Sequence, residues 1–287
     1  MDVSIIIVNY NTKELTVACI ASVIEKTEGV DYEIILVDNA SSDGTVDVVK
    51  KKFSNVIIRQ MDDNVGFGRA NNAGAELAKG KYLFLLNSDT ILIENSIKVF
   101  FDFMEHNSQY TACGCNLIDG EGQNSICHGK LPTLKMEFFS CGLNKVFRSY
   151  YKNILWIGQN IHEGNISNTG YISGADVFIH SDVFNDFGGF DPHIFMYYEE
   201  TDLFCRMHKL GKKFCILDNT KIIHYGGGSL KKITLSKFEM QEQSRLYYYR
   251  KNHGEFYAFF AKVARMLNTI LHPTKLIHKE IGILVKI

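Results

Sequence analysis

Asp89 directly follows Asn87-Ser88 and the wholly apolar run Tyr82-Leu83-Phe84-Leu85-Leu86, so its carboxylate is expected at the rim of a rigid buried strand. One or two carboxylate oxygens, completed to an octahedron by phosphates and waters, suit Mg2+ or Mn2+. The alternative use of Asp89-Thr90 is as the N-cap of a following helix. Asp38 ends a second apolar run. There an acidic side chain can accept a ribose hydroxyl or a base N–H, or close an Asx turn in Asn39-Ala-Ser-Ser-Asp-Gly44.

Asn64-Val65-Gly66-Phe67-Gly68-Arg69 precedes a helical stretch. Glycines at that position let backbone N–H groups approach an anion, and Arg69 can fork onto phosphate. Gly66-x-Gly68 stops short of G-x-G-x-x-G, since Asn71 fills the third slot, and the loop follows the third strand instead of the first. Nicotinamide binding is therefore not expected. Glu199, Glu200 and Asp202 open a helix, whose dipole favours their ionised forms at neutral pH. An ionised carboxylate beside a reactive carbon can act as a general base, although dipole complementarity alone also explains acidic residues there. His224 ends a strand before Tyr225-Gly226-Gly227-Gly228, as a ligand or as a packed histidine. The other nine histidines show no metal spacing.

The elements that must position these residues follow from periodicity. Ser4–Val8, Glu33–Val37, Val56–Ile58 and Tyr82–Leu86 are short apolar runs bounded by turn formers, as buried strands are. Helical spacing separates them at Leu15, Cys19 and Val23, at Val46, Val49 and Phe53, and at Ala70, Ala73, Gly74 and Leu77, with Asn11 and Glu14 at capping-box offset. The resulting β-α-β-α-β-α-β order predicts an α/β fold: a mostly parallel sheet flanked by helices, with ligands outside the carboxyl ends of its strands. After a helix carrying Ile97, Phe100, Phe101 and Met104, the stretch Thr111 to Thr169 is expected as loops and short strands. Regularity returns at Tyr171–Ile179, in a helix from Ser181 and in one from near Glu199. Two strands follow, Lys213–Leu217 and Lys221–Tyr225, joined by an Asp218-Asn219 turn.

Composition narrows the classes. In 287 residues, 31 Lys and Arg balance 32 Asp and Glu, so no global field exists to grip nucleic acid. Residues 250–287 hold seven basic and two acidic side chains, or +5 against −1 for the whole chain. Seven cysteines without a Cys-x-x-Cys pair fit reduced thiols and a cytoplasmic setting. No basic leader opens the sequence, and no apolar run reaches the roughly 18 residues of a membrane span.

Taken together, these stations resemble glycosyltransferase family 2 on the GT-A fold, within it a bacterial rhamnosyltransferase-like branch of surface-polysaccharide enzymes. The pieces are Ser4-Ile-Ile-Ile-Val-Asn-Tyr-Asn11, Val37-Asp-Asn-Ala-Ser-Ser-Asp-Gly-Thr45, Asn64-Val-Gly-Phe-Gly-Arg-Ala-Asn-Asn72, Asn87-Ser-Asp-Thr90, Ser173-Gly-Ala175, Gly188-Gly-Phe-Asp191 and Tyr198-Glu-Glu-Thr-Asp-Leu203. The resemblance implies an inverting transferase that takes a nucleotide-diphosphate sugar donor, dTDP-rhamnose or a UDP-sugar. Its acceptor would be a glycan or a lipid-linked saccharide. It implies Mn2+ or Mg2+ held by Asp89 and His224, donor contacts from Val8, Tyr10, Asn11, Asp38, Asn39, Asn64, Gly68, Arg69, Asn87, Ser88 and Gly174, and a catalytic pair Glu199 and Glu200 with Glu200 as base. Asn87 stands where the family's Asp-x-Asp has its first Asp, which removes one charge, and Glu200 replaces a commoner Asp.

The same reading divides the chain into a catalytic domain over 1–250, with a nucleotide-sugar half (1–110) and an acceptor half (111–250), and a basic amphipathic extension over 251–287. In that extension Phe256, Phe260, Val263, Leu267 and Leu271 form a stripe beside Lys262 and Arg265. It is suited to peripheral contact with the inner face of a membrane, to docking on the domain, or to an oligomer. Two competitors are a sugar-1-phosphate nucleotidyltransferase, which calls for a Gly-rich, Arg-containing loop where Asn9-Tyr10-Asn11 stands, and a non-catalytic nucleotide-sugar-binding module.

Overall fold

The computed structural model describes residues 1–143, 167–226, 234–274 and 276–287. Part of the Thr111–Thr169 stretch and Gly227-Gly228 lie outside them. The first half alternates as expected: β1 (Val3–Asn9), α1 (Lys13–Lys26), β2 (Tyr32–Asp38), α2 (Thr45–Lys52), β3 (Ile57–Gln60), α3 (Phe67–Ala75), β4 (Tyr82–Asn87). Every residue of β1 is buried, the mark of a parallel strand covered on both faces. β5 (Thr90–Leu92) and α4 (Ser96–His106) complete this half. Asp89 therefore leads into a short strand, and the cap of α4 is Asn95, whose side chain accepts the Lys98 N–H.

The second half contains β6 (Ala112–Ile118), β7 (His128–Gly129), α5 (Leu134–Phe138) with a π turn (Phe139–Leu143), β8 (Ser167–Asn168), β9 (Tyr171–Ile172), β10 (Asp176–His180), α6 (Ser181–Asp186), α7 (Glu199–Lys209) and β11 (Phe214–His224). Helices α8 (Leu235–His253), α9 (Glu255–Leu271) and α10 (Ile277–Lys286) follow, and α8 runs across position 250. The main sheet has the order β3-β2-β1-β4-β10-β6-β11-β5, with β8 beside β11. β1, β2, β3 and β4 pair in parallel, as do β6 and β11, whereas β10 and β5 run antiparallel to their neighbours.

Two expectations change, while the stretch expected as loops and short strands opens with a regular strand, β6. Its Ala-Cys-Gly-Cys sequence hides the pattern because Gly114 lies under Ile172 and Asp176, where an added Cβ would come within 2.6 Å of Ile172. The anticipated Asp218-Asn219 turn is a register shift inside one long strand, β11. Tyr171–Ile179 is two strands, β9 and β10, parted by Ser173-Gly174-Ala175.

Asp176 opens β10 opposite Leu86 and is fully buried, its Oδ2 accepting the Cys115 N–H at 2.7 Å and its Oδ1 without a hydrogen-bond partner among the described residues. Burial holds its carboxyl well above the ordinary value. The folded chain thus keeps a proton that the unfolded chain has lost above about pH 4, and stability falls as pH rises through that window. Asp176→Asn has no proton to lose. Its melting temperature relative to wild type should rise between pH 4 and pH 8 and show no gain below pH 4 in thermal melts.

Candidate active site

Parallel register brings the polar strand ends together: Asn9 lies beside Asp38, and Val8 beside Asn87. Six of the expected donor residues, Val8, Tyr10, Asn39, Asn64, Asn87 and Ser88, and the expected metal ligand Asp89 line one cleft of about 470 Å3 at this edge. Thr12, Phe67 and Met196 line it too and carried no sequence signal for it. Tyr10 is half exposed at the mouth, where a planar base can lie on its ring.

Other expected donor residues build the frame. Asn9 Oδ1 accepts from Thr12 N, Thr12 Oγ1 and Thr16 Oγ1, while its Nδ2 donates to Asp38 Oδ1 at 2.8 Å and to Ser41 Oγ. Asp38 is buried and its Oδ2 accepts the Ser41 N–H, so its carboxylate closes the Asx turn of its own loop. Asn39 does the same for the next loop, donating to Asn64 Oδ1 and Gly66 O and accepting from Val65 N. Asn11 takes a left-handed φ of 53° and accepts the Ser42 N–H. The anticipated Asn11–Glu14 capping box is absent, because α1 begins after Thr12 and the Lys13 N–H is taken by Asp43 Oδ2.

Gly66 (φ 87°, ψ 172°) occupies backbone space that only glycine enters cheaply, and an added Cβ would meet Phe195 O at 2.1 Å. That carbonyl accepts the Phe67 N–H at 3.1 Å, locking α3 to the 192–198 loop. Gly66→Ala should cost about 1–3 kcal/mol from strain alone and more from the displaced loop, lowering both melting temperature and donor affinity in the same calorimetric series. Gly68 packs under Phe190 and Glu199, away from the cleft lining. Arg69 is exposed, with its Nε held by Pro192 O at 2.5 Å.

On the other side, β11 returns antiparallel to β5 and pairs His224 with Thr90. His224 Nε2 stands 3.3 Å from Asp89 Oδ1 and 3.4 Å from Asn87 Nδ2. The Tyr225 N–H also donates to Asp89 O at 3.0 Å, so backbone and side chains converge there. A carboxylate and an imidazole at that spacing suit a divalent cation. Among the described residues no three His, Cys, Asp or Glu groups enclose one point, so phosphate oxygens and water would have to complete its shell.

The acidic pair follows a strained turn. Tyr197 and Tyr198 both take left-handed φ values, 68° and 70°, immediately before Glu199. Each costs on the order of 1–3 kcal/mol and persists only where packing fixes it. Glu199 is buried, and its Oε2 has no hydrogen-bond partner among the described residues. Burial and the neighbouring Glu200 charge hold its carboxyl well above the usual range. Burial raises Glu200 as well, against the N–H groups of Glu200, Thr201 and Gly174, which favour its charged form. The helix dipole's preference for charge is thus opposed by burial at both glutamates, more strongly at Glu199. The Gly174 N–H faces Glu200, and Gly174 lies against the cleft-lining Phe67.

Helix α8 splints this turn. Ser244 Oγ donates to Met196 O at 2.8 Å, and Tyr248 packs on Tyr198 with ring centroids 5.5 Å apart. Lys251 bridges Asp191 (2.5 Å) and Asp202 (2.9 Å), which flank the 192–198 loop. Asp202 is also paired with Arg206, whose guanidinium reaches Phe187 O and Gly189 O. The third acidic residue of the helix start therefore acts in the scaffold.

Known proteins resemble this chain in sequence and fold. The profile described as Glycosyl transferase family 2 matches residues 4–174. A poly(ribitol-phosphate) beta-glucosyltransferase of Bacillus spizizenii is 33% identical over 128 residues, 42% of this chain and 20% of that protein. An N-acetylglucosaminyl-diphospho-decaprenol L-rhamnosyltransferase of Mycobacterium tuberculosis is 23% identical over 77% of this chain and 75% of its own. The chain spans only a fifth of the Bacillus protein. Among solved structures, a mannosyltransferase from Pyrobaculum calidifontis in complex with GDP-Man and Mn2+ superposes with a TM-score of 0.60 at 12% identity, over 99% of this chain and 74% of that one. S. aureus TarS 1-349 in complex with UDP gives 0.57 at 14% identity, over 96% and 72%. The fold is of GT-A type, and with the profile covering more than half of its residues the chain belongs to glycosyl transferase family 2.

Proposed function

We propose that the chain is an inverting, cation-dependent glycosyltransferase that moves a sugar from dTDP-rhamnose or a UDP-sugar to a hydroxyl of a glycan or lipid-linked saccharide in surface-polysaccharide synthesis. The observation that carries this reading is convergence at one sheet edge: Asp89, on the wall of the cleft, meets His224 at 3.3 Å, and Gly174, whose N–H faces Glu200, lies against the cleft-lining Phe67. Val8, Tyr10, Asn39 and Asn64 surround the nucleoside, while Asn87 and Ser88 face the diphosphate. Arg69 swings from Pro192 O toward that diphosphate. Asp89 and His224 would hold Mn2+ or Mg2+, which when bound neutralises the departing diphosphate. Glu200 takes the proton of the acceptor hydroxyl as its oxygen bonds to the anomeric carbon. The bond to the diphosphate oxygen breaks on the opposite face, its electron pair leaves with the nucleotide, and the anomeric centre inverts.

A mycobacterial relative is named for a lipid-diphosphate acceptor, and an acceptor of that class would bring this chain to the cytoplasmic face of a membrane. No helix among the described residues is long and apolar enough to cross one. A nucleotidyltransferase fits less well, because Asn11 is spent on Ser42 where that reading needs a phosphate loop. A silent binding module would have no use for a buried carboxylate pair.

Thermal-shift screening of nucleotide sugars with and without Mn2+, followed by nucleotide-release assays, tests the proposal. One donor should raise the melting temperature only with the metal and should be turned over. If no sugar nucleotide binds, or if sugar 1-phosphate and nucleoside triphosphate are consumed instead, the proposal fails.

A further inference from the structure

We infer that the outer face of α9 is a docking surface for an anionic lipid bilayer. This helix is seated the reverse of an ordinary amphipathic helix. It buries small residues, Ala258, Ala261 and Ala264, against the body, where Cys141 Sγ donates to Ala264 O and Arg245 to Ala261 O. Its large apolar side chains point outward: Phe256 is 76% exposed and Phe259 60%, and Leu267, Ile270 and Leu271 are exposed too. At 100° per residue these five fall on one face, with half-buried Phe260 and Val263 between them.

The charge around this face chooses its occupant. By sequence the segment 250–287 carries +5 and the rest of the chain is negative; Lys251 is bound to Asp191 and Asp202 and Arg265 to Glu242, which leaves +3 for its surface. Of its two acids, Glu255 pairs with Arg250 and Glu280 is buried, whereas Lys279, Lys286, His272 and His278 are exposed beside the apolar Leu276 and Val285. Two copies meeting through this face would set like charges together, at a cost that an anionic surface turns into attraction. An exposed apolar stripe on a helix unable to span, followed by a helix with exposed Lys279 and Lys286, suits the interface plane of an anionic membrane.

The inference deepens the lipid-linked acceptor reading and rests on it only for biological direction; vesicle binding needs no sugar transfer, so the two fail separately. The full chain should float with vesicles of phosphatidylglycerol and phosphatidylcholine, weakly with phosphatidylcholine alone, and less as salt rises. Phe256→Ser with Phe259→Ser should weaken flotation by on the order of a hundredfold while nucleotide-sugar turnover on a water-soluble acceptor persists. Lys279→Glu with Lys286→Glu, two exposed positions, should weaken it roughly tenfold or more at low salt and serves if the first variant does not fold. Failure of the wild-type chain to float, equal binding to neutral vesicles, or a dimer in sedimentation that F256S/F259S disperses would overturn it.

Discussion

Glu200→Gln should bind the sugar nucleotide as tightly as wild type and lose transfer by roughly 10²–10⁴-fold, the contribution typical of a positioned general base. The amide keeps the size of the side chain, so the helix start is undisturbed, but it cannot accept the acceptor's proton. The pH dependence carries an independent sign. Burial raises Glu200, so the acid limb of kcat should lie above the 4.5 of an ordinary glutamate, with activity lost as pH falls through the folded-state value. Burial and the Glu200 charge push Glu199 up further than Glu200, so Glu199→Gln, which keeps the size of the side chain, should leave kcat within about tenfold and the acid limb nearly in place. Calorimetric donor titration and pH–rate profiles on both variants separate the roles. Wild-type turnover by Glu200→Gln, or an acid limb that moves with Glu199 alone, would assign the base to the wrong carboxyl.

Why sequence led to this pair but not to the upward shift of its carboxyls is a matter of range. Strand ends are legible because period and turn chemistry are local, and parallel pairing of β1, β2 and β4 then forces Asn9, Asp38 and Asn87 to one edge. Helix-start acidity is local as well, and it favours charge. What overrides it at Glu199 is the covering of α7 by distant segments, including Phe190 and Gly68, and desolvation is not written in neighbouring residues. Lys251 shows the same limit. It stands 60 residues from Asp191 and 49 from Asp202, in a stretch whose sequence reads as a basic amphipathic extension, yet it links both sides of the turn before Glu200. β6 escaped because Gly114 and its cysteines answer to cross-sheet packing and show no alternation of their own.

Asp89→Ala should abolish the metal dependence of donor binding. The argument begins with charge. Where the family pattern has two acids, this chain keeps one, Asn87 supplying an amide, so Asp89 is the anionic protein ligand available beside His224. Removing it leaves a neutral imidazole and an amide, which hold Mg2+ or Mn2+ poorly without the diphosphate. Donor affinity measured in Mn2+ should then fall to the value measured in chelator, and turnover should drop by at least about a hundredfold, since charge on the leaving diphosphate is no longer offset. His224→Ala removes a neutral ligand, so it should weaken the metal titration while leaving part of it. The ordering is the sharp test: Asp89 above His224 in metal dependence, with Asn87→Asp tightening Mn2+ by restoring a negative charge. An Asp89→Ala protein whose Mn2+ titration matches wild type would move the cation elsewhere and leave the 3.3 Å contact with His224 a structural one.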